Sequence, residues 1–288
     1  MKVVLFCGGY GMRMRDGLTD LPKPMQVIGD RPLLWHVMRT YAHFGHTEFI
    51  LCLGYGAHHV TDYFLHYDET RSNDFVMRRS GADVEMLSSD IGDWTITFVH
   101  TGLETPIGER LRQVRPHLEG EEVFAANYAD VLTDAPLDVI EQRFRESGAV
   151  GSLLAVPPQA AFHMVEMDAD QRVEAIRPVS SLDVRENGGY FFFRQEVFDV
   201  LDEGEDLVTD ALPRLADRRE LLAYPYDGFW MPADTVKERS LLDDMARHGN
   251  RPWARWAREP ARAVEVPARA PRPAAVGQRR AADDEIAS

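Results

Sequence analysis

Four separated groups in this 288-residue chain have residue types and spacing suited to phosphate and a hard cation. The first is Gly8-Gly9-Tyr10-Gly11-Met12-Arg13, directly after an apolar run. Glycines there let backbone N–H groups approach phosphate oxygens, and an arginine adds bidentate charge. Taken alone, such a loop reads equally as a tight turn. It lacks both the further glycine of a dinucleotide fingerprint and the Gly-Lys-Ser/Thr of a P-loop. The second group is Pro22-Lys23-Pro24-Met25, where two prolines hold an extended segment and aim one lysine at the same phosphates. Any single lysine also reads as an ordinary surface residue. The third, Asn127-Tyr128-Ala129-Asp130, puts an acid at the end of a strand, where open α/β sheets bind ligands and a carboxylate holds Mg²⁺ through oxygen. Asp134 and Asp138 lie nearer the next helix and suit helix capping better. The fourth runs from Asp227 to Thr235 and brings Asp234 to the start of a helix, where the plain alternative is an N-cap aspartate. Two distant carboxylates, one glycine-arginine loop and one held lysine together describe a magnesium-phosphate site.

The elements that must position these groups follow from hydrophobic periodicity. Lys2 to Cys7 is a short continuous apolar run ending on glycine, the pattern of a strand buried on both faces. A helix begins near Pro32, carries Leu33, Leu34, Val37, Met38 and Tyr41 at helical spacing, and stops at Gly45. Further strands are predicted at Glu48 to Leu53, Thr95 to His100, Glu122 to Asn127 and Val150 to Val156. Helices are predicted near Ala57 to Tyr67, Glu109 to His117 and Leu137 to Ser147. Strands alternating with helices predict an α/β fold, a Rossmann-like, mostly parallel sheet with helices on both faces. Pieces around Met164, Val173 and Tyr190 to Phe193 predict a small mixed β insertion. Helices near Glu196 to Leu201 and Thr209 to Leu215, two strands and a helix from about Val236 to His248 complete the body.

From Glu259 onward, nine alanines and four prolines in thirty residues leave almost no large apolar side chain. Such a segment does not offset its ordering entropy, which predicts a catalytic domain over 1–258 and a disordered tail over 259–288. The formal net charge of −15 argues against nucleic acid as a partner, since phosphate backbones attract basic surfaces. No stretch approaches the length of a membrane span or the pattern of a signal peptide, so the expectation is a cytoplasmic enzyme with no membrane partner. Cys7 and Cys52 sit in buried strands and read as inert core thiols. The scattered histidines lack a metal-ligand spacing.

The chain resembles the sugar-1-phosphate nucleotidyltransferases, most closely those that act as glucose-1-phosphate cytidylyltransferases. The resemblance covers about Met1 to Trp256. It rests on the Gly8 to Arg13 loop, PKPM at Pro22 to Met25 and PLLWHVMRTYAHFG from Pro32 to Gly45. It continues through FILCLGY from Phe49, TGLETPIGERL from Thr101, NGGYFF from Asn187 and DGFWMPADT from Asp227. It implies the nucleotide-diphospho-sugar transferase type of fold, with the sugar-binding part at about 150–235. It further implies that Arg13 and Lys23 contact the triphosphate and that Asp130 and Asp234 hold Mg²⁺. Gly8, Gly9, Gly11, Met12, Thr105, Gly108 and Arg110 would line the nucleotide. Tyr128, Arg177, Asn187 and Gly188 would meet the sugar phosphate. The implied reaction joins a nucleoside triphosphate, CTP foremost, to a sugar phosphate in a homo-oligomeric enzyme. Met12 stands where the family usually carries threonine, Ala129 and Val131 where glycines flank the first acid. Ile176-Arg177-Pro178 replaces Glu-Lys-Pro, and Phe162-His163-Met164 lacks the usual glycine after phenylalanine, so that His163 is expected at the edge of the sugar pocket. The first three departures would narrow the nucleotide site and the others concern the sugar; together they leave two alternatives: another nucleotide or a cyclitol phosphate, or a non-catalytic binder. A metal-dependent glycosyltransferase ranks below both, because the stretch after Tyr128 lacks two acids one residue apart.

Overall fold

The computed structural model describes residues 1–9, 21–159 and 162–257. Strand β1 (Lys2–Phe6) alternates its side chains between two separate cores, Val3 and Leu5 entering one and Val4 and Phe6 the other. Burial on both faces is why its sequence is a continuous apolar run rather than an alternating one. A ribbon of β2 (Val27–Ile28) and β3 (Arg31–Pro32) leads into α1 (Leu33–His43), with Pro32 in extended conformation at its N-cap. Strand β4 (Glu48–Leu53) and helix α2 (Ala57–Leu65) follow. Strands β5 (Phe75–Arg78) and β6 (Asp83–Met86) form an antiparallel ribbon inside a separate compact unit, Glu69–Gly92. That unit is tied by its own bonds, with Ser72 Oγ and Asn73 Nδ2 each donating to Asp90 at 2.9 Å.

The main unit resumes with β7 (Thr95–His100), α3 (Ile107–Val114), β8 (Val123–Asn127), β9 (Val131–Thr133), α4 (Leu137–Ser147) and β10 (Gly151–Val156). It continues with β11 (His163–Met167), β12 (Val173–Pro178) and β13 (Glu186–Arg194). It closes with α5 (Leu212–Asp217), β14 (Leu221–Pro225), β15 (Trp230–Pro232) and α6 (Val236–Arg247). Among the described residues the main sheet has seven strands in the order β14-β10-β13-β8-β1-β4-β7. Strands β8, β1, β4 and β7 run parallel, as do β10 and β14, while β13 is antiparallel to both neighbours. Residues of α1, α4 and α6 pack into the core on one face of this sheet, and residues of α3 and α5 into the core on the other.

Three expectations need correction. Tyr190 to Phe193 does not belong to an insertion. It lies in the middle of β13, fully buried, with Tyr190 and Phe192 in one core and Phe191 and Phe193 in the other. The insertion is the β11–β12 ribbon alone. The helix expected to reach His117 breaks into a 3₁₀ turn at Arg115–Leu118, because Pro116 cannot donate to the helical ladder. The helices expected near Glu196 and Thr209 are a 3₁₀ turn at Gln195–Asp199 and a π turn at Leu207–Ala211 that runs into α5. The segment 259–288 lies outside the described residues. Among the described residues, no helix is long and apolar enough to cross a membrane.

The last described segment is anchored by Trp253, which is fully buried against Phe229 and the α1 residue His36. His36 Nε2 donates to the Ile28 carbonyl at 2.9 Å, and its Nδ1 accepts from Trp253 Nε1 at 3.4 Å. A proton on Nδ1 would face another N–H donor in a dry core. Burial lowers the His36 pKa to about 4 from an ordinary 6.5. Below 6.5 the unfolded chain therefore takes up a proton that the folded chain refuses, and stability falls as pH drops from about 6.5 to 4. Urea denaturation across that window is expected to show this loss. His36→Phe, which does not titrate, should flatten the pH dependence there even if it lowers stability throughout.

Candidate active site

The carboxyl ends of β1, β4, β7 and β8 meet at one edge of the sheet, and a cavity of about 480 Å³ opens there. Its wall includes Phe6, Gly8, Gly9, Lys23, Glu104, Thr105, Arg110, Tyr128, Asp130 and Asp206. Because β13 is antiparallel, its beginning reaches the same edge and sets Asn187 beside Tyr128, whose hydroxyl accepts from Asn187 Nδ2 at 3.1 Å. Burial pushes the Tyr128 hydroxyl pKa up, so it stays protonated and keeps a hydrogen to donate.

Lys23 links the two acids. Its Nζ donates to Asp130 Oδ2 at 2.6 Å and also to Asp234 Oδ1. Pro22 is extended as expected, but Lys23–Met25 is a 3₁₀ turn rather than an extended segment. Pro24 sits in its first turn, where a fixed φ is favourable and a missing N–H costs nothing. The turn closes through Met25 N to Pro22 O at 2.8 Å and Gln26 N to Lys23 O at 3.1 Å. Burial opposes the Lys23 charge, yet Asp130 and Asp234 hold its pKa above the usual lysine value. Burial pushes the Asp130 carboxyl up, and Lys23 offsets only part of that. Two carboxylates facing one ammonium leave the cluster short of positive charge.

Backbone geometry holds the acids in place. Ala129, just before Asp130, has φ of 61°, a left-handed conformation costing roughly 1–2 kcal/mol for a residue with a side chain. The Asn127 carboxamide oxygen accepts from Ala129 N–H at 2.7 Å and offsets part of that strain. Asp234 is not the N-cap of α6. Thr235 is, in a capping box with Glu238, whose Oε2 accepts from the N–H groups of both Asp234 and Thr235 at 2.9 Å. The Asp234 carboxylate is thereby left for Lys23. Asp134 does not cap α4 either. Its Oδ1 accepts from the Tyr226 hydroxyl and from Phe229 N–H, tying β9 to the loop before β15.

The remaining expected site residues fall into three groups. Gly8, Gly9, Thr105 and Tyr128 line the cavity with Lys23 and Asp130, whereas Gly188 is not in its wall and its carbonyl accepts from Trp230 Nε1 at 2.8 Å. Arg110 lines the cavity too, but its five N–H donors already have acceptors. Nε donates to Thr105 O at 2.9 Å, Nη1 to Thr101 Oγ1 at 2.7 Å and Leu53 O at 3.4 Å, Nη2 to Gly8 O at 3.0 Å and Leu103 O at 3.2 Å. It ties the ends of β1, β4 and β7 to the loop before α3. Gly108 and Arg177 are not in the cavity wall. A side chain at Gly108 would strike Glu205 O at 2.5 Å, so its bareness serves packing of α3. Arg177 pairs with Glu166 across the β11–β12 ribbon at 3.4 Å, and His163 is exposed opposite Pro178 on the same ribbon. Gly11, Met12 and Arg13 lie outside the described residues.

Sequence reasoning missed Phe6 and Asp206 in the cavity wall. Asp206 N-caps the π turn, accepting from Val208 and Thr209 N–H groups, and an acid just before Leu-Val-Thr was a readable capping signal. Cys7 and Cys52 are free and buried; burial pushes Cys7 up and Cys52 up to about 12, as inert thiols require. Among the described residues, no three His, Cys, Asp or Glu side chains gather as a ready-made metal cage.

Comparison with known proteins gives a consistent result. A family model described as nucleotidyl transferase matches residues 2–248. A Bacillus subtilis protein called "Probable glucose-1-phosphate cytidylyltransferase" is 34% identical over 258 residues, 89% of this chain and 100% of its own length. The glucose-1-phosphate cytidylyltransferase of Salmonella typhi is 30% identical over 259 residues, again 89% of this chain and all of the relative. Among solved structures, apo UDP-glucose pyrophosphorylase superposes with a TM-score of 0.64 at 19% identity, covering 86% of this chain and 99% of that one. At that identity the superposition speaks for the fold alone.

Backbone closes in on Gly54 at this edge, where a Cβ would lie 2.6 Å from Gly8 O, 2.7 Å from Gly102 O and 2.8 Å from Gly8 Cα. These are backbone atoms of the two neighbouring strand ends and cannot swing aside. Gly54→Ala is expected to cost about 1–3 kcal/mol in chemical denaturation. A variant as stable as the parent would mean that the three strand ends are not held this closely.

Proposed function

The chain belongs to the nucleotidyl transferase family, and from that premise we propose that it transfers a cytidylyl group from CTP to a sugar 1-phosphate, releasing pyrophosphate. The acceptor is glucose 1-phosphate or an altered sugar. The observation that carries the reading is Lys23 held between Asp130 and Asp234 in the cavity at the carboxyl edge of the sheet. The choice of CTP is supported by the names of the relatives that align along their whole length.

Two carboxylate oxygens converging on one ammonium are a hard-oxygen pair with negative charge to spare, which fits Mg²⁺. An ion of this kind takes one or two carboxylates and fills its other positions with water and substrate phosphate, so a pair of acids without a third suits it. Asp130 and Asp234 would hold it. When bound, Mg²⁺ neutralises charge on the phosphate oxygens. Lys23, which the two carboxylates share, would then be available to the triphosphate, as the family resemblance also implies for Arg13. Gly8, Gly9 and Thr105 of the cavity wall would line the nucleotide, as the family resemblance also implies for Gly11 and Met12, and Arg110 keeps that wall in shape. The sugar phosphate is already ionised near neutral pH, so its oxygen attacks the α-phosphorus without a protein base. The contribution of the chain is positioning and charge.

Tyr128, Asn187 and Gly188 form the sugar side. Arg177 joins them only by opening its pair with Glu166, so Arg177→Ala is expected to raise the KM for sugar phosphate and leave kcat largely intact. The reading assigns catalysis to 1–258, its sugar-binding part to about 150–235, and places a homo-oligomer in the cytoplasm. The net charge of −15 supports small anionic substrates and no nucleic-acid partner.

A panel of nucleoside triphosphates and sugar phosphates, with mass detection of the nucleotide sugar and pyrophosphate, tests the proposal. CTP with a hexose 1-phosphate should turn over, and Asp130→Asn or Asp234→Asn should reduce kcat at least a hundredfold, the scale of losing one charge-stabilising group. Unchanged rates in both variants would sink the metal assignment. Saturable binding without product from any pair would point instead to a binding protein.

A further inference from the structure

The acids and the lysine of the site are held by different parts of the fold. Asp130 and Asp234 are fixed to each other through backbone, since Val131 pairs with Pro232 in the β9–β15 ribbon and Ala233 N–H donates to Asp130 O at 2.9 Å. Lys23 lies on a separate segment, the 3₁₀ turn, which reaches α6 through side chains. Gln26, 5% exposed, is central to that attachment. Its N–H donates to Lys23 O at 3.1 Å, its carbonyl accepts from Leu33 N–H at 2.9 Å, and its Nε2 donates to Leu21 O at 3.0 Å. Its Oε1 accepts from Arg239 Nη1 at 3.3 Å. Arg239 stands one turn into α6, its N–H donating to Thr235 O at 3.0 Å. One side chain therefore closes the Lys23 turn on itself and joins it to the helix that begins just after Asp234. Gly29 N–H donates to Asp243 Oδ1 at 2.8 Å, repeating the attachment one turn further along.

The Lys23 ion pairs would not supply this registration during the reaction, because on the nucleotidyl-transfer reading the ammonium would exchange its carboxylate partners for the triphosphate. The Gln26–Arg239 bond takes no part in that exchange. We infer that Gln26 and Arg239 are positioning residues that keep the Lys23 ammonium in register with the acid pair while its own bonds are broken and remade. The inference rests on the nucleotidyl-transfer reading. It assigns the two residues to Lys23 rather than to the metal, since the acids have their own backbone tie.

Arg239→Met and Gln26→Leu test it, with Arg239→Lys as the conservative variant that keeps a donor. Three quantities are measured on the full chain: pyrophosphate release, binding of CTP, and binding of Mn²⁺ alone. Misplacement of a reacting group by about 1 Å costs up to about a hundredfold. Both removal variants should therefore lose tenfold or more in kcat and bind CTP more weakly, while their Mn²⁺ affinity stays within about twofold of the parent. The double variant should be no slower than the slower single one, as expected for two ends of one bond. Arg239→Lys should recover most of the loss. Parental kcat and CTP binding in Arg239→Met would overturn the inference, as would an equal loss of Mn²⁺ binding or strict additivity in the double variant. If either removal variant fails to fold, Arg239→Lys against Gln26→Glu, which keeps the acceptor for Arg239, decides by the same ratio of CTP to Mn²⁺ binding. A parent that releases no pyrophosphate with any substrate pair overturns the functional reading instead. CTP binding against Mn²⁺ binding in the variants then still decides the positioning inference.

Discussion

Two carboxylates must stand close together at the edge of the sheet, and much of the chain around the cavity serves that constraint. Like charges about 4 Å apart repel by roughly 4 kcal/mol at the effective dielectric near a protein surface. Asp130 and Asp234 come from positions 104 residues apart, so no local spacing holds them. The β9–β15 ribbon, the Ala233 bond to the Asp130 carbonyl and the Thr235–Glu238 capping box do so through backbone. Lys23 relieves the repulsion without cancelling it, which leaves a residual attraction for a cation.

The same edge must accept a highly anionic substrate in a protein of net charge −15. Positive charge is therefore concentrated and partly hidden. Arg110 directs its guanidinium into five oxygens at the strand ends and loop beside the cavity, where it acts as a fixed dipole scaffold rather than as a free cation. Lys23 is bound to acids until something displaces it. On the proposed reading, what remains for the phosphates within the described wall is backbone N–H at Gly8 and Gly9 and the Lys23 ammonium. The division of labour keeps the cavity wall rigid and leaves its charges exchangeable.

Much of this was readable in the residues, and the failures have physical causes. The parallel strands announced themselves because burial on both faces demands unbroken apolar runs, and the boundaries of β4, β7 and α4 agree with the structure to the residue. The same pattern in Tyr190 to Phe193 was a signal for a central strand, and its isolation among weaker pieces hid it. The N-cap alternative for Asp234 falls away because Thr235 with glutamate three residues later is the stronger capping signature. The roles of Gly108 and Arg110 depend on what lies across a tertiary contact: Glu205 for the one, the Gly8 and Leu53 carbonyls and the Thr101 hydroxyl at three strand ends for the other. Spacing along the chain carries no trace of such partners. The β5–β6 ribbon was missed because each of its strands is only four residues long.

Ala129 ties these threads together. A left-handed residue next to the first acid is most easily glycine, and alanine there holds about 1–2 kcal/mol of strain that the Asn127 side chain partly repays. In exchange the methyl group is fully buried and the turn loses the freedom that glycine would give it in the unfolded chain. Asp130 is thereby presented on a stiff turn, with its carbonyl bonded to Ala233 and its carboxylate to Lys23. Stiffness on the acid side makes the lysine side the adjustable one. Exchange of partners then belongs to the Lys23 ammonium, on a segment that has among the described residues few backbone ties beyond its own 3₁₀ turn and the Gln26 carbonyl to α1, and that the Gln26–Arg239 bond joins to α6.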